Sequence, residues 1–272
     1  MTNKTKELLR TILVVVITLG AYKIVGFILT KLISNSNLES LVAQSIFTLF
    51  VLCAVAVLKR WSLFKSTKGA LKKNWYVAGI FFFQLILISL VKIDNFFNIS
   101  IPAIEIVYFL LQMILVGFCE EVLFRGLLQN AFHKFFGEDS WLHINIAVLI
   151  TGLLFGAAHL TNGFNPEIGF RTAGLQAGAT AMMGVYFCAI YYRTGKNIWY
   201  LIFLHAIYDI FASIGNGRLS GQTAADVINA ARQITPSSVF VLGVLFVGIS
   251  LIILRPKKIQ PWIVQDQNTN VM

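Results

Sequence analysis

The chain has 272 residues, 57% of them hydrophobic and only 12% charged, against about 25% charged in an ordinary soluble domain. That composition excludes a water-soluble globule and indicates an integral membrane protein. The formal net charge of +10 would suit a nucleic-acid binder, but the basic residues are distributed as a membrane topology and no nucleic-acid partner is implied.

About 20 apolar residues of helix cross the ~30 Å hydrocarbon core. The sequence predicts eight such spans, at 9–32, 41–58, 76–93, 104–131, 142–160, 172–192, 198–214 and 237–254, forming an all-α polytopic bundle without a linker that would divide it, hence one domain over 1–272. One set of connecting segments holds Lys4, Lys6 and Arg10, then Lys59, Arg60, Lys65, Lys68, Lys72 and Lys73, then Lys134, then Arg193 and Lys196, then Arg255, Lys257 and Lys258. The other set holds only Lys92, Arg171, Arg218 and Arg232. By the positive-inside rule both termini are expected on the cytoplasmic side of the cell membrane.

In chain order, the first span begins after a basic start, but its apolar stretch exceeds the ~7 to 15 residues of a signal core, so an uncleaved anchor is expected. Lys23 within it is expected to snorkel to the interface. The loop 59–75 mixes basic residues with Trp61, Leu63, Phe64 and Trp75, a composition fit for an anionic inner leaflet or for a plain positive-inside loop. Gly174, Gly178 and Gly184 give the sixth span small residues for close helix approach. Residues 223–234 predict a short surface helix capped by Thr223 and stopped by Pro236, and the polar tail after Pro261 is expected to fray.

Cys53, Cys119 and Cys188 all fall in apolar spans and are odd in number, which implies buried thiols and no disulfide framework. Cys119 precedes Glu120, yet an apolar interior suppresses the thiolate a nucleophile needs.

The unusual polar groups lie between residues 104 and 214. Glu120 and Glu121 sit in an apolar stretch with Arg125 one turn later, and each charge in a span costs ~2.5 to 3.5 kcal/mol on insertion scales. Four residues apart, Glu121 and Arg125 suit a buried ion pair, whereas Glu120 points about 100° away and is left to face a cavity. His133 and His143 flank a polar turn and are expected at the interface; His159 and His205 lie inside apolar spans. Asp209, four residues after His205, can accept from one imidazole nitrogen and fix the ring. Span midpoints put Glu120 and His205 near mid-membrane and His159 roughly 12 Å nearer the outside, which counts against a shared site.

Glu-Glu-x-x-x-Arg at 120–125, Phe-x-x-x-His at 155–159 and His-x-x-x-Asp at 205–209, with the Thr194-Gly195 turn, together resemble the CAAX protease and bacteriocin-processing family of intramembrane endopeptidases, also called the abortive-infection family. The resemblance covers about 104–214 and implies a helical bundle around a water-accessible polar cavity that cleaves a membrane-associated peptide or protein without an acyl-enzyme. It implies Glu120 as the base activating water, His159 as a holder of that water and His205 as oxyanion donor, with Asp209 at the site and Glu121 and Arg125 in support. No cofactor is implied. The prenyl-protein protease branch has an asparagine where this chain has Asp209, and an ionised aspartate cannot donate to an oxyanion.

Other readings stay open at this point. The Glu, His, His, Asp set could bind a catalytic metal, although the His-Glu-x-x-His spacing is absent and the histidines lie on separate helices. A scaffold or bacteriocin-immunity protein of the same fold has no physical need for an unpaired Glu120, and a proton-relay transporter would be expected to show repeated topology. Helix-gluing hydrogen bonds alone average about 0.6 kcal/mol, a weak return for so many ionisable groups.

Overall fold

A computed structural model describes residues 2–229 and 235–255, which are helical and contain no strand. Eight helices are long and apolar enough to span a bilayer: α1 (Asn3–Leu29), α2 (Asn37–Val57), α3 (Ala70–Val91), α4 (Ala103–Phe136), α5 (Trp141–Phe164), α6 (Gly169–Arg193), α7 (Ile198–Gly215) and α8 (Pro236–Ile253). Each predicted span coincides with one of them, with ends shifted by a few residues. The protein is a multi-pass membrane bundle.

Side-chain caps explain where several of these helices begin. Asn35 accepts from the Leu38 N–H, Ser140 from His143, Asn197 from Tyr200 and Thr235 from Ser238. Between α6 and α7 the chain turns through Gly195 at φ +71°, where a Cβ would lie 2.5 Å from Ala70 Cβ. The Gly195 carbonyl accepts from Thr67 N–H there (2.9 Å), so the Thr194-Gly195 turn is where the loop after α2 docks.

α6 is the central helix, with 61% of its apolar window buried against 11% for α1 and for α8. α6 packs on α5 and α8, α4 packs on α2 and α7, and α1 covers α2. Leu13 and Ile17 on α1 and Phe240 and Val244 on α8 stay exposed, as lipid-facing side chains do in a bundle that must satisfy its backbone internally.

Of the glycines expected on α6, Gly184 makes the close contact with α5, where a Cβ would lie 2.9 Å from the Phe155 ring and 3.2 Å from the Gly152 carbonyl oxygen, Gly178 meets Val239 of α8, and Gly174 faces open space. The facing tight positions on α5 are Gly152 and Gly156. A Cβ on Gly156 would sit 2.4 Å from Ala181 Cβ and 2.5 Å from the Ala177 carbonyl oxygen. Gly156→Ala should therefore destabilise the bundle by about 1–3 kcal/mol through overpacking, visible as a lower thermal midpoint in detergent, with Gly174→Ala as the unaffected control.

Within α4, residues Val122–Gln129 are wound as a π-helix. Glu121, Arg125, Gln129 and His133 recur every fourth residue and are all buried. A spacing of four overshoots an α-turn by about 40° per step; the wider π winding, with its i→i+5 bonds, offsets that drift and keeps the stripe on one face. Two rungs tie the stripe to α6: Arg125 Nη2 donates to Gly184 O (3.2 Å) and Gln129 Nε2 to Cys188 O (3.0 Å).

His133 lies near the basic end of α4 but is turned inward, 1% exposed with its ring 5.1 Å from that of Tyr192. His143 is part-exposed as expected, and its Nδ1 lies 3.0 Å from Asp139, whose carboxyl this hydrogen bond holds below its usual range. In the loop 59–75, Leu63 is buried while Trp61 and Trp75 stay exposed. Thr223 caps a short helix, Ala224–Asn229, accepting from Asp226 N–H (3.1 Å). The rest of the predicted 223–234 helix, and the tail with Lys257 and Lys258, lie outside the described residues.

Candidate active site

Three helices bring the motif residues together. α4 supplies Glu120 and Glu121, α5 supplies Phe155 and His159, and α7 supplies His205 and Asp209. Glu121 is fully buried and its Oε1 accepts from Arg125 Nη1 at 2.9 Å, the ion pair expected from the spacing. The same oxygen also accepts from His205 Nδ1 at 2.6 Å. Glu121 therefore holds the imidazole at Nδ1, a link across helices that a four-residue spacing cannot reveal, while Asp209 meets the ring from the Nε2 side.

His205 Nε2 faces the two remaining carboxylates, 3.4 Å from Asp209 Oδ2 and 3.6 Å from Glu120 Oε2. Both of these acids are about a quarter exposed, Glu120 at 27% and Asp209 at 25%. The rings of Phe155 and Phe187 stand edge-on to His205, at 6.1 and 5.8 Å between centroids. Phe155 also lies 4.3 Å from the Arg125 guanidinium, so it covers the buried cation while it walls the imidazole.

His159 is held from its own helix. Its Nδ1 is 2.9 Å from the Phe155 carbonyl oxygen; a carbonyl only accepts, so Nδ1 carries the proton and Nε2 is the end left for another partner. That contact gives Phe-x-x-x-His a local reason: residue 155 supplies both the anchoring carbonyl and the ring, 4.9 Å away, against which the imidazole packs.

Glu120, His159, His205 and Asp209 all line one cavity of about 760 Å³. The depth offset inferred for His159 does not keep it from the other three. The cavity has apolar walls at Phe109, Met113, Val116 and Phe124, and amide or hydroxyl groups at Gln112, Asn162, Gln176 and Thr180. Its volume lies within the range of small-molecule pockets and accommodates several residues of extended peptide. Cys119 is buried against Thr48 (3.3 Å between Sγ and Oγ1) and does not line it.

Lys23 was missed as a member of this site. It lines the cavity and its Nζ donates to Asn162 Oδ1 (3.3 Å), near the end of α5. The signal was present, because a lone charge in an apolar span calls for a polar partner as much as Glu120 does. A second cavity of about 530 Å³ lies at the basic end and holds none of the motif residues. Its Lys134 and Lys196 are paired with Glu7 and Glu138, at 2.6 Å each.

Among the described residues no group of three or more His, Cys, Asp or Glu side chains is arranged to hold a metal ion. Instead, the two imidazoles each commit Nδ1 to a protein acceptor, and Phe155 packs against both.

Bundle and cavity together define a polytopic helical membrane protein whose ionisable groups gather around one internal cavity. More particularly, residues 102–211 match the sequence model of the family described as type II CAAX prenyl endopeptidase Rce1-like. The matched stretch runs from the start of α4 into α7 and includes all three motifs, in agreement with the resemblance they carry. What the match implies is endopeptidase activity within the membrane. No curated protein and no solved structure matches the chain.

Proposed function

We propose that the protein is a metal-free intramembrane endopeptidase in which Glu120 activates water for direct attack on a peptide bond. The observation that carries this reading is the convergence of Glu120, His159 and His205 on one cavity, each imidazole anchored through Nδ1 and presenting Nε2. A water between the Glu120 carboxylate and His159 Nε2 gives up a proton to Glu120 as its oxygen bonds to the carbonyl carbon. The carbonyl oxygen gains negative charge and is stabilised by N–H donation from His205 Nε2. Glu120 then passes its proton to the leaving amine as the C–N bond breaks, and two chain termini result.

Asp209 has no donor proton when ionised, so its part is to bias the orientation of His205 from the Nε2 side. The substrate is a peptide or protein at the bilayer with a flexible or unwound scissile segment, since cleavage needs extended backbone. The basic segments support a cell-membrane protein with both termini cytoplasmic. Processing of bacteriocin or signalling-peptide precursors fits such an enzyme.

Mass spectrometry of peptide termini released by cells expressing wild type or Glu120→Ala at matched levels tests the reading. Specific termini should vanish in the variant. Identical termini, with a phenotype such as bacteriocin resistance retained, would instead show a binding or immunity protein. Chelators should leave cleavage by the purified protein unchanged; loss of activity that added zinc restores would overturn the metal-free mechanism.

A further inference from the structure

We propose that the cavity receives its substrate from the membrane face opposite the basic loops, so that the scissile segment belongs to an exported or membrane-inserted peptide and not to a cytosolic tail. This rests on the endopeptidase reading.

Apart from Phe124, one turn further along α4, the lining residues run in one direction from Glu120. On α4 they lie towards its start, as at Gln112; on α5 they continue to Asn162 near its end; on α7 they reach Ser213. Beyond α7 the lining goes on through Arg218 to Ile228 on the short helix after it. All of these approach the end of the bundle where α1, α5 and α7 finish and where α4 and α6 begin. Towards the other end, Val122, Leu123, Arg125, Leu127 and Gln129 of α4 are 0–2% exposed, a packed layer that separates this cavity from the second one at the basic end, with which it shares no lining residue.

The packed layer lies on the side of the basic end. Lys59, Arg60, Lys65, Lys68, Lys72 and Lys73 lie between α2 and the body of α3, with Lys134, Arg193 and Lys196 at the same end. The mouth end carries Lys31, Lys92, Arg171 and Arg218 among the described residues, a much smaller number. Because Lys and Arg are retained on the cytoplasmic side, the mouth is exoplasmic. A cytosolic C-terminal tail would have to cross the packed layer to reach Glu120, whereas a segment at the outer face meets an open cavity. Inside it, the Gln112 Oε1 acceptor is buried without a protein partner and lies on the wall, suited to a backbone N–H of extended peptide.

Side-specific thiol labelling of the full-length protein tests this without any cleavage assay. Cys119 and Cys188 are buried, so only the exposed Cys53 needs replacement by Ser. In that background Ile228→Cys should react with a membrane-impermeant maleimide in intact cells, and Lys68→Cys only in inverted vesicles. The reverse pattern overturns the proposal. Labelling of Ile228→Cys with a bulky maleimide should also suppress release of the Glu120-dependent termini; unaltered release would show that this end is not the entrance. If Glu120→Gln leaves the termini unchanged, the endopeptidase reading fails while the labelling result still decides which face the cavity opens on.

Discussion

Glu120→Gln is expected to lower the rate of cleavage by about 10²–10⁴-fold, the usual contribution of a general base, without disturbing the fold. The carboxylate faces the cavity at 27% exposure, and its nearest ionic contact is the 3.6 Å approach to His205 Nε2. An amide of the same shape leaves no buried charge uncompensated. The loss should fall on kcat with KM nearly constant, at an unchanged thermal midpoint in detergent. Wild-type turnover in this variant would remove Glu120 from the mechanism.

The neighbouring Glu121→Gln should behave in the opposite manner, as a stability variant. Glu121 is fully buried and its one oxygen holds both Arg125 and His205. Removing its charge strands a guanidinium whose remaining neighbours, the Gly184 carbonyl and the Phe155 and Phe187 rings among them, carry no compensating charge. Breaking a buried pair from one side costs about 3–5 kcal/mol, so a sharp drop in thermal midpoint and in membrane yield is expected. Replacing both partners with apolar residues, Glu121→Leu with Arg125→Met, should restore much of the stability because no orphan charge remains. It should not restore cleavage, since His205 would still lack its Nδ1 acceptor. A stable, active double variant would show that the ring needs no anchor.

The eight spans and the Glu121–Arg125 pair were legible because each is written locally: an apolar run of span length, and two opposite charges one turn apart. The motifs on α5 and α7 marked His159 and His205 for the same reason. What escaped depends on which helix faces which. Glycine spacing on α6 says that close approach is possible, and Gly184 makes it, but its partners Gly152 and Gly156 on α5 are not marked by that spacing. Asp209 had the right spacing for His205, but Glu121 of α4 comes nearer. His133 looked interfacial from its charged neighbours, and only the π winding of α4 shows why it turns inward with Gln129. That winding leaves no mark on the hydrophobic pattern.

The packed layer beyond Glu120 also bears on the membrane that holds the bundle. Water drawn down to a carboxylate within the bundle covers part of a conduction path, and a continuous chain of relaying side chains beyond it would let protons run down their gradient. The stripe beyond Glu120 is polar too, but Arg125 and Gln129 are locked onto Glu121 and α6 carbonyls among fully buried Leu123 and Leu127. A guanidinium and an amide do not readily take up and release protons near neutral pH, so this packed layer is a poor relay, and a proposed hydrolase with its water on one side of it would not short-circuit an energised bilayer.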